Sequence, residues 1–132
     1  MNRAAPEILT LRVYYEDTDA GGIVYHAAYL RFAERGRTEF VRKLGIDQQK
    51  LRVETGSGFV VTSLTIDYLK PAFLDDNLTI TTEIDRIRPA SVNFKQTVAR
   101  ERQIIAHLKV RVACLDGDGR LTRLPRAFAI SP

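Results

Sequence analysis

Apolar and polar positions alternate over residues 8–15, ILTLRVYY, and the β-branched and aromatic types among them predict a strand that stops at the acidic EDTD of 16–19. The period then lengthens. Between Ala27 and Leu44, Tyr29, Phe32, Ala33, Gly36, Phe40, Val41 and Leu44 recur every three or four residues, while Arg31, Glu34, Arg35, Arg42 and Lys43 fall largely on the other side. One long amphipathic helix fits this pattern, closed by Gly45 where a left-handed residue is favoured. Gly36 within it costs about 1 kcal/mol relative to alanine. Its use is therefore close approach to another backbone, with the helix pressed against a sheet. DQQKLRVE, from Asp47 to Glu54, predicts a brief second helix.

The remainder reads as sheet. Strands are predicted over 59–69, over 78–87 with Leu78, Ile80 and Ile84 on one side, and over 92–99 with Val92, Phe94 and Val98. In 104–115, Ile104, Ala106, Leu108, Val110, Val112 and Cys114 share one face, while His107, Lys109 and Arg111 take the other. DGDG at 116–119 is a turn, and RLTRLPRAFAI (120–130) predicts a last short strand limited by Pro125. Strand, long helix, then four or five strands is an α+β order, one helix covering one face of an antiparallel sheet. The other face and two edges call for a covering partner, so a homo-oligomer pairing sheets is expected.

At 132 residues the chain suits one domain spanning 1–132. No apolar run approaches the roughly 20 residues needed to span a bilayer, and MNRAAPEILTLRV lacks a signal-peptide core, so a soluble cytoplasmic protein is the expectation. Cys114, the single cysteine, forms no internal disulfide and reads as a buried small hydrophobe. The net charge of +4 would suit an anionic partner, yet the 20 basic residues are interspersed with 16 acidic ones. No Lys/Arg block or zinc spacing favours a nucleic acid; a phosphate-bearing small molecule would use the same charge. No phosphate loop, HExxH pair or GxSxG elbow is present and the two histidines stand far apart, so neither cofactor nor metal is expected.

Chemistry concentrates in YYEDTDAGGIVYHAAYL, residues 14–30, where strand gives way to helix. A helix start has unpaired N–H groups and the positive end of the macrodipole. Gly21-Gly22 lets the chain bend between Asp19 and His26, which sets a carboxylate beside a ready oxyanion site. Acyl transfer needs that pairing. Each residue also has a plainer reading: Asp17 or Asp19 as a turn-former, His26 as a structural hydrogen-bonder, Tyr14, Tyr15, Tyr25 and Tyr29 as core or pocket-wall aromatics, and Glu34 with Arg37 as an i, i+3 surface pair. Spacing alone leaves both readings open.

The stretch YYEDTDAGGIVYHAAYLRFAERGRTEF closely resembles the motif of hotdog-fold acyl-CoA thioesterases of the 4-hydroxybenzoyl-CoA thioesterase type, most nearly the bacterial YbgC-like branch associated with the Tol-Pal system. IDYLKPAFLDDNLTITTEI resembles that family's second stretch, and the likeness runs from the first strand to LPRAF. The resemblance implies a hotdog fold, an antiparallel sheet wrapped around one long central helix, assembled as dimers and commonly homotetramers. It implies a hydrolase that splits acyl-CoA, with acyl carrier protein as an alternative donor and the inner membrane surface as a site of peripheral contact. Asp19, and not Asp17, takes the position of the catalytic carboxylate, as nucleophile or general base. His26 takes that of the oxyanion N–H, and in this branch its side chain acts beside Asp19.

Tyr14, Gly22 and Tyr25 would be substrate-binding neighbours, joined by Thr62 and Ser63 from a partner chain. Arg86, Arg88 and Lys95 are candidates for the coenzyme A phosphates. Another hotdog branch places its acid on the long helix, which would select Glu34. A non-catalytic acyl-CoA or acyl-carrier-protein binding partner is the reading from a different class. The hydrophobic-glycine signature of hotdog dehydratases is missing.

Overall fold

Five antiparallel strands in the spatial order β1-β3-β4-β5-β2 form one sheet, and a helix lies across its inner face. The computed structural model describes residues 4–129. In chain order the elements are β1 (Glu7–Arg12), a single 3-10 turn (Tyr15–Asp17), α1 (Ala28–Lys43), α2 (Gln48–Thr55), β2 (Gly58–Tyr68), β3 (Asn77–Ile87), β4 (Ser91–Arg100), β5 (Gln103–Leu115) and α3 (Arg126–Ala129). The α+β order is as the periodicity predicts.

Helix α1 buries the stripe that the three-and-four spacing marks out: Tyr29, Phe32, Ala33, Gly36, Phe40 and Val41. The sheet answers with alternate residues, Leu78, Ile80 and Ile84 from β3, Val92, Phe94 and Val98 from β4, and Leu108, Val110 and Val112 from β5. Phe40 meets Phe94 edge to face at 5.5 Å. Gly45 ends the helix at φ 92°, and its N–H returns to the Arg42 carbonyl at 2.9 Å. Asp47 caps α2 by accepting from the Lys50 N–H at 3.0 Å.

Gly36 does hold helix and sheet together, although its neighbours are side chains and not a backbone. A Cβ there would stand 2.7 Å from Thr82 Oγ1 and 2.9 Å from Ile80 Cγ2, both on stiff β-branched residues. Gly36→Leu is expected to cost about 2 kcal/mol. Overpacking of about 3 kcal/mol is partly offset by about 1 kcal/mol of helix propensity. Denaturant titration measures it, and an unchanged midpoint would show that the interface can yield.

The structure departs from the sequence reading at four places. The first strand ends at Arg12, and Tyr14 to Asp17 turn away under a side-chain bond described below. In β5 a bulge breaks the alternation: Ala99 pairs with Ile104 but Val98 with Ala106, so Ile105 is inserted. Ile105 is therefore fully buried, while Ile104 is 41% exposed and leaves the face that alternation assigns it.

The predicted strand over 120–130 reduces to one bridge, Leu115 with Leu121, followed by α3; Ile130 lies outside the described residues. Pro125 cannot donate to a ladder and suits a helix start. Its carbonyl accepts the Phe128 N–H at 3.1 Å, and Phe128 packs on Phe59 with ring centres 6.1 Å apart. Lastly, Arg37 is no surface partner of Glu34: it is 8% exposed and turned toward the sheet. Cys114 is buried as expected, and burial pushes its thiol pKa up.

Candidate active site

The turn after the 3-10 segment is built around Asp19. Thr18 and Val24 form an antiparallel bridge, and the Asp19 N–H donates to the Ile23 carbonyl at 2.9 Å. The Asp19 carbonyl accepts from the Gly22 N–H at 3.1 Å, and its Oδ1 accepts from the Gly21 N–H at 2.8 Å. Gly22 has φ 84°, a region costly for other residues, and a Cβ on Gly21 would lie 3.2 Å from Asp19 Oδ1. The second carboxylate oxygen, Oδ2, has no partner among the described residues, and Asp19 is exposed.

Asp17 is different. It is buried, its Oδ2 accepts from the Tyr14 N–H at 2.9 Å, and its Oδ1 lies 3.7 Å from Arg31 Nη2. Its carbonyl accepts from the Tyr25 N–H at 2.8 Å. Asp17 thus ties strand end, turn and helix together, which leaves Asp19 as the carboxylate free to meet a ligand.

Helix α1 begins without a side-chain cap, since Ala27 occupies the capping position. The Ala28 N–H closes a turn onto the Tyr25 carbonyl at 2.8 Å, whereas the N–H groups of His26 and Ala27 donate to no atom among the described residues. Uncapped donors at the positive end of a helix attract developing negative charge. His26 is held from behind by Tyr68, whose hydroxyl donates to the His26 carbonyl at 2.8 Å. The Tyr25 ring lies beside the His26 imidazole, centres 4.4 Å apart.

The chain therefore brings Asp19, Gly22, Tyr25 and His26 into one turn-and-helix junction. Tyr14 is 62% exposed, and its backbone serves Asp17. Tyr25 is also exposed, while Tyr29 enters the core and meets Tyr68 at 5.6 Å. Burial raises the Tyr29 pKa, and a backbone hydrogen bond with Ala72 offsets part of that rise.

Thr62 and Ser63 stand exposed where β2 is bulged between Val61 and Ser63, about 17–20 Å along the strand from Tyr68. Glu34 lies about 12 Å along α1 from His26, is exposed, and accepts from Thr38 Oγ1 at 3.0 Å. Arg86 and Lys95 are exposed on the sheet, and Arg88 donates to Asn93 Oδ1 at 3.0 Å.

Two residues, Tyr68 beside the junction and Gln96 under the middle of α1, are not singled out by the sequence reading. Tyr68 appears in it only as part of IDYLKPAF, because its bond to His26 spans 42 residues and has no local signature. Gln96, fully buried in β4, looks like any strand glutamine. Among the described residues no three His, Cys, Asp or Glu side chains gather to hold a metal. No helix there is long and apolar enough to cross a membrane.

The chain and its fold are similar to known proteins. The profile of the thioesterase-like superfamily matches residues 13–131. The acyl-CoA thioesterase YbgC of Haemophilus influenzae is 49% identical over 106 residues, 80% of this chain and 78% of that protein. The acyl-CoA thioester hydrolase YbgC of Escherichia coli is 48% identical over 119 residues, 89% of this chain and 86% of that one. The crystal structure of a probable thioesterase from Bartonella henselae superposes with a TM-score of 0.88 at 37% identity, covering 92% of this chain and all of that one. The antiparallel sheet around α1 is thus a hotdog fold. Within that class, the chain belongs to the thioesterase-like superfamily.

Proposed function

We propose that the protein hydrolyses acyl-CoA thioesters to a free acid and coenzyme A at the junction between Asp19 and the start of α1. The observation that carries this reading is the pairing of a carboxylate whose Oδ2 has no partner among the described residues with an uncapped helix start whose His26 and Ala27 N–H groups have no acceptor among them. The names of the relatives from Haemophilus influenzae and Escherichia coli support the substrate class.

Asp19 acts on the thioester carbonyl carbon either directly, forming a mixed anhydride that water then opens, or by taking a proton from the attacking water. In both routes the carbonyl oxygen gains negative charge and receives hydrogen bonds from the helix start. The C–S bond then breaks, and sulfur leaves as the thiol with a proton derived from water. One such N–H donor is worth about 3 to 4 kcal/mol of transition-state stabilisation. Gly22 and Tyr25 flank the carbonyl, and a second copy of the chain supplies Thr62 and Ser63.

Thiol release from a panel of acyl-CoA substrates of differing chain length and aromaticity tests the proposal. Cys114 is buried and will not consume the thiol reagent. Tight binding of acyl-CoA with no thiol released from any substrate would favour a binding protein instead. Tyr68→Phe removes the bond that holds the His26 carbonyl, so kcat is expected to fall about tenfold, the effect of roughly 1.4 kcal/mol, while the melting temperature shifts little. Equal turnover in wild type and variant would mean that Tyr68 does not position the helix start.

A further inference from the structure

The loop between β2 and β3 runs along the flank of the Asp19 turn. The Ala72 carbonyl accepts from the Val24 N–H at 2.9 Å, and Phe73 forms an antiparallel bridge with Ile23. The Ile23 carbonyl in turn accepts the Asp19 N–H at 2.9 Å, and Val24 bridges Thr18. Three short backbone segments, 72–73, 23–24 and 18–19, therefore lie side by side, and Asp19 stands in the last of them. Ala72 is fully buried and also shares a backbone hydrogen bond with Tyr29 in the first turn of α1. One loop thus touches both the carboxylate turn and the helix start.

Most of this loop is exposed: Pro71, Phe73, Leu74 and Asp75 face solvent, and Asp75 sits in the left-handed region at φ 71°. Its grip comes from Arg100, the last residue of β4. Arg100 Nη1 donates to Asp76 Oδ2 at 2.7 Å and to the Pro71 carbonyl at 3.2 Å, while Nη2 donates to Gln103 Oε1 at 2.5 Å. Asp76 Oδ2 also accepts from the Phe73 N–H at 2.8 Å, and the guanidinium carbon lies 5.9 Å from the Phe73 ring centre. A rigid guanidinium fork therefore meets the loop at Pro71, Phe73 and Asp76 together. Both side chains keep some access to solvent, 25% for Arg100 and 22% for Asp76, so the pair adds little to overall stability. Its effect is local and geometric.

We infer that Arg100 is a positioning residue for thioester hydrolysis: clamped on Asp76, it holds residues 71–76 against Ile23 and Val24 and so sets where Asp19 stands relative to the start of α1. The inference rests on the hydrolytic reading given above. No hydrogen bond or ion pair joins Arg100 to Asp19 or His26 among the described residues, so its action runs through the backbone of the loop. Misplacing a reacting group by about 1 Å costs on the order of 100-fold in rate, and a loosened turn that reaches the right geometry part of the time loses about tenfold.

Thiol release and amide hydrogen exchange, both on the full chain, test the inference. Arg100→Met keeps the aliphatic stem and is expected to lower kcat about tenfold with KM within about threefold of wild type, the signature of lost transition-state geometry. The Asp19 and Val24 N–H groups should exchange about tenfold faster, while amides in the middle of α1 and β4 keep their protection. Arg100→Lys retains the charge beside Asp76 and should restore kcat to within about threefold of wild type. Should the methionine variant fail to fold, Asp76→Asn keeps an acceptor for the Phe73 N–H, removes the charge, and is expected to lower kcat about threefold with the same local gain in exchange. Wild-type kcat in both Arg100→Met and Asp76→Asn, unaltered exchange at Asp19 and Val24, no recovery in Arg100→Lys, or protection lost equally across the sheet would each overturn the inference, the last by showing a merely structural role. A wild-type protein that releases no thiol from any acyl-CoA would instead sink the hydrolytic reading, and the exchange rates would then decide by themselves whether Arg100 holds the turn.

Discussion

Asp19→Asn is expected to lower kcat for acyl-CoA hydrolysis by about 10²- to 10⁴-fold, the range for losing a positioned base, while leaving the fold intact. The amide can replace the carboxylate in the turn, because its oxygen still accepts the Gly21 N–H that now meets Oδ1 at 2.8 Å. What it lacks is a negative charge and a basic lone pair on the oxygen that faces outward. A neutral amide neither attacks a thioester carbonyl nor takes a proton from water. Asp17→Asn provides the contrast. That carboxylate is buried against the Tyr14 N–H and Arg31, so its loss should cost about 1–2 kcal/mol of stability, while kcat of the folded fraction stays near wild type. Turnover by Asp19→Asn within a few-fold of wild type would end the assignment, and a large loss in Glu34→Gln instead would move the carboxylate onto α1.

Gln96→Leu should destabilise the core by about 3 kcal/mol. For a domain of this size that corresponds to a melting temperature lower by about 10 °C. Leucine matches glutamine roughly in volume, so the cost is electrostatic and not a cavity. Gln96 Nε2 donates to the Ala33 carbonyl and to Thr82 Oγ1, both at 2.8 Å, and its Oε1 accepts from Arg37 at 3.0 Å. The variant strands a buried guanidinium without an acceptor. A hydrogen bond to a charged group is worth about 1.5–3 kcal/mol, and an orphaned buried charge costs more. Pairing Gln96→Leu with Arg37→Met removes the stranded charge and should recover at least 1 kcal/mol relative to additivity. Strict additivity in that cycle would show that the two residues are not coupled.

What the sequence determined by itself is what local periodicity and local sterics encode. The spacing of Tyr29, Phe32, Phe40 and Val41 marks the buried face of α1, because a helix repeats every 3.6 residues whatever covers it. Alternation places β2 to β5 to within about a residue, and Gly45 and Asp47 mark helix ends through their own backbone chemistry. Asp19, the glycine pair and His26 were legible as a junction for the same reason: all lie within eight residues of one another.

Tertiary structure decided whatever depends on partners distant in sequence. The bulge at Ile105 exchanges the exposures expected of Ile104 and its neighbour, because pairing with β4 sets the register and alternation alone does not detect an inserted residue. Arg37 reads as one half of a surface pair until Gln96, 59 residues away, supplies its acceptor. Asp17 and Asp19 are alike as letters, and the Tyr14 N–H and Arg31 claim the first as scaffold while the glycine turn leaves the second with an oxygen that has no partner among the described residues. A carboxylate's role follows from which of its lone pairs the fold has already used, and that is settled only when the chain has closed around it.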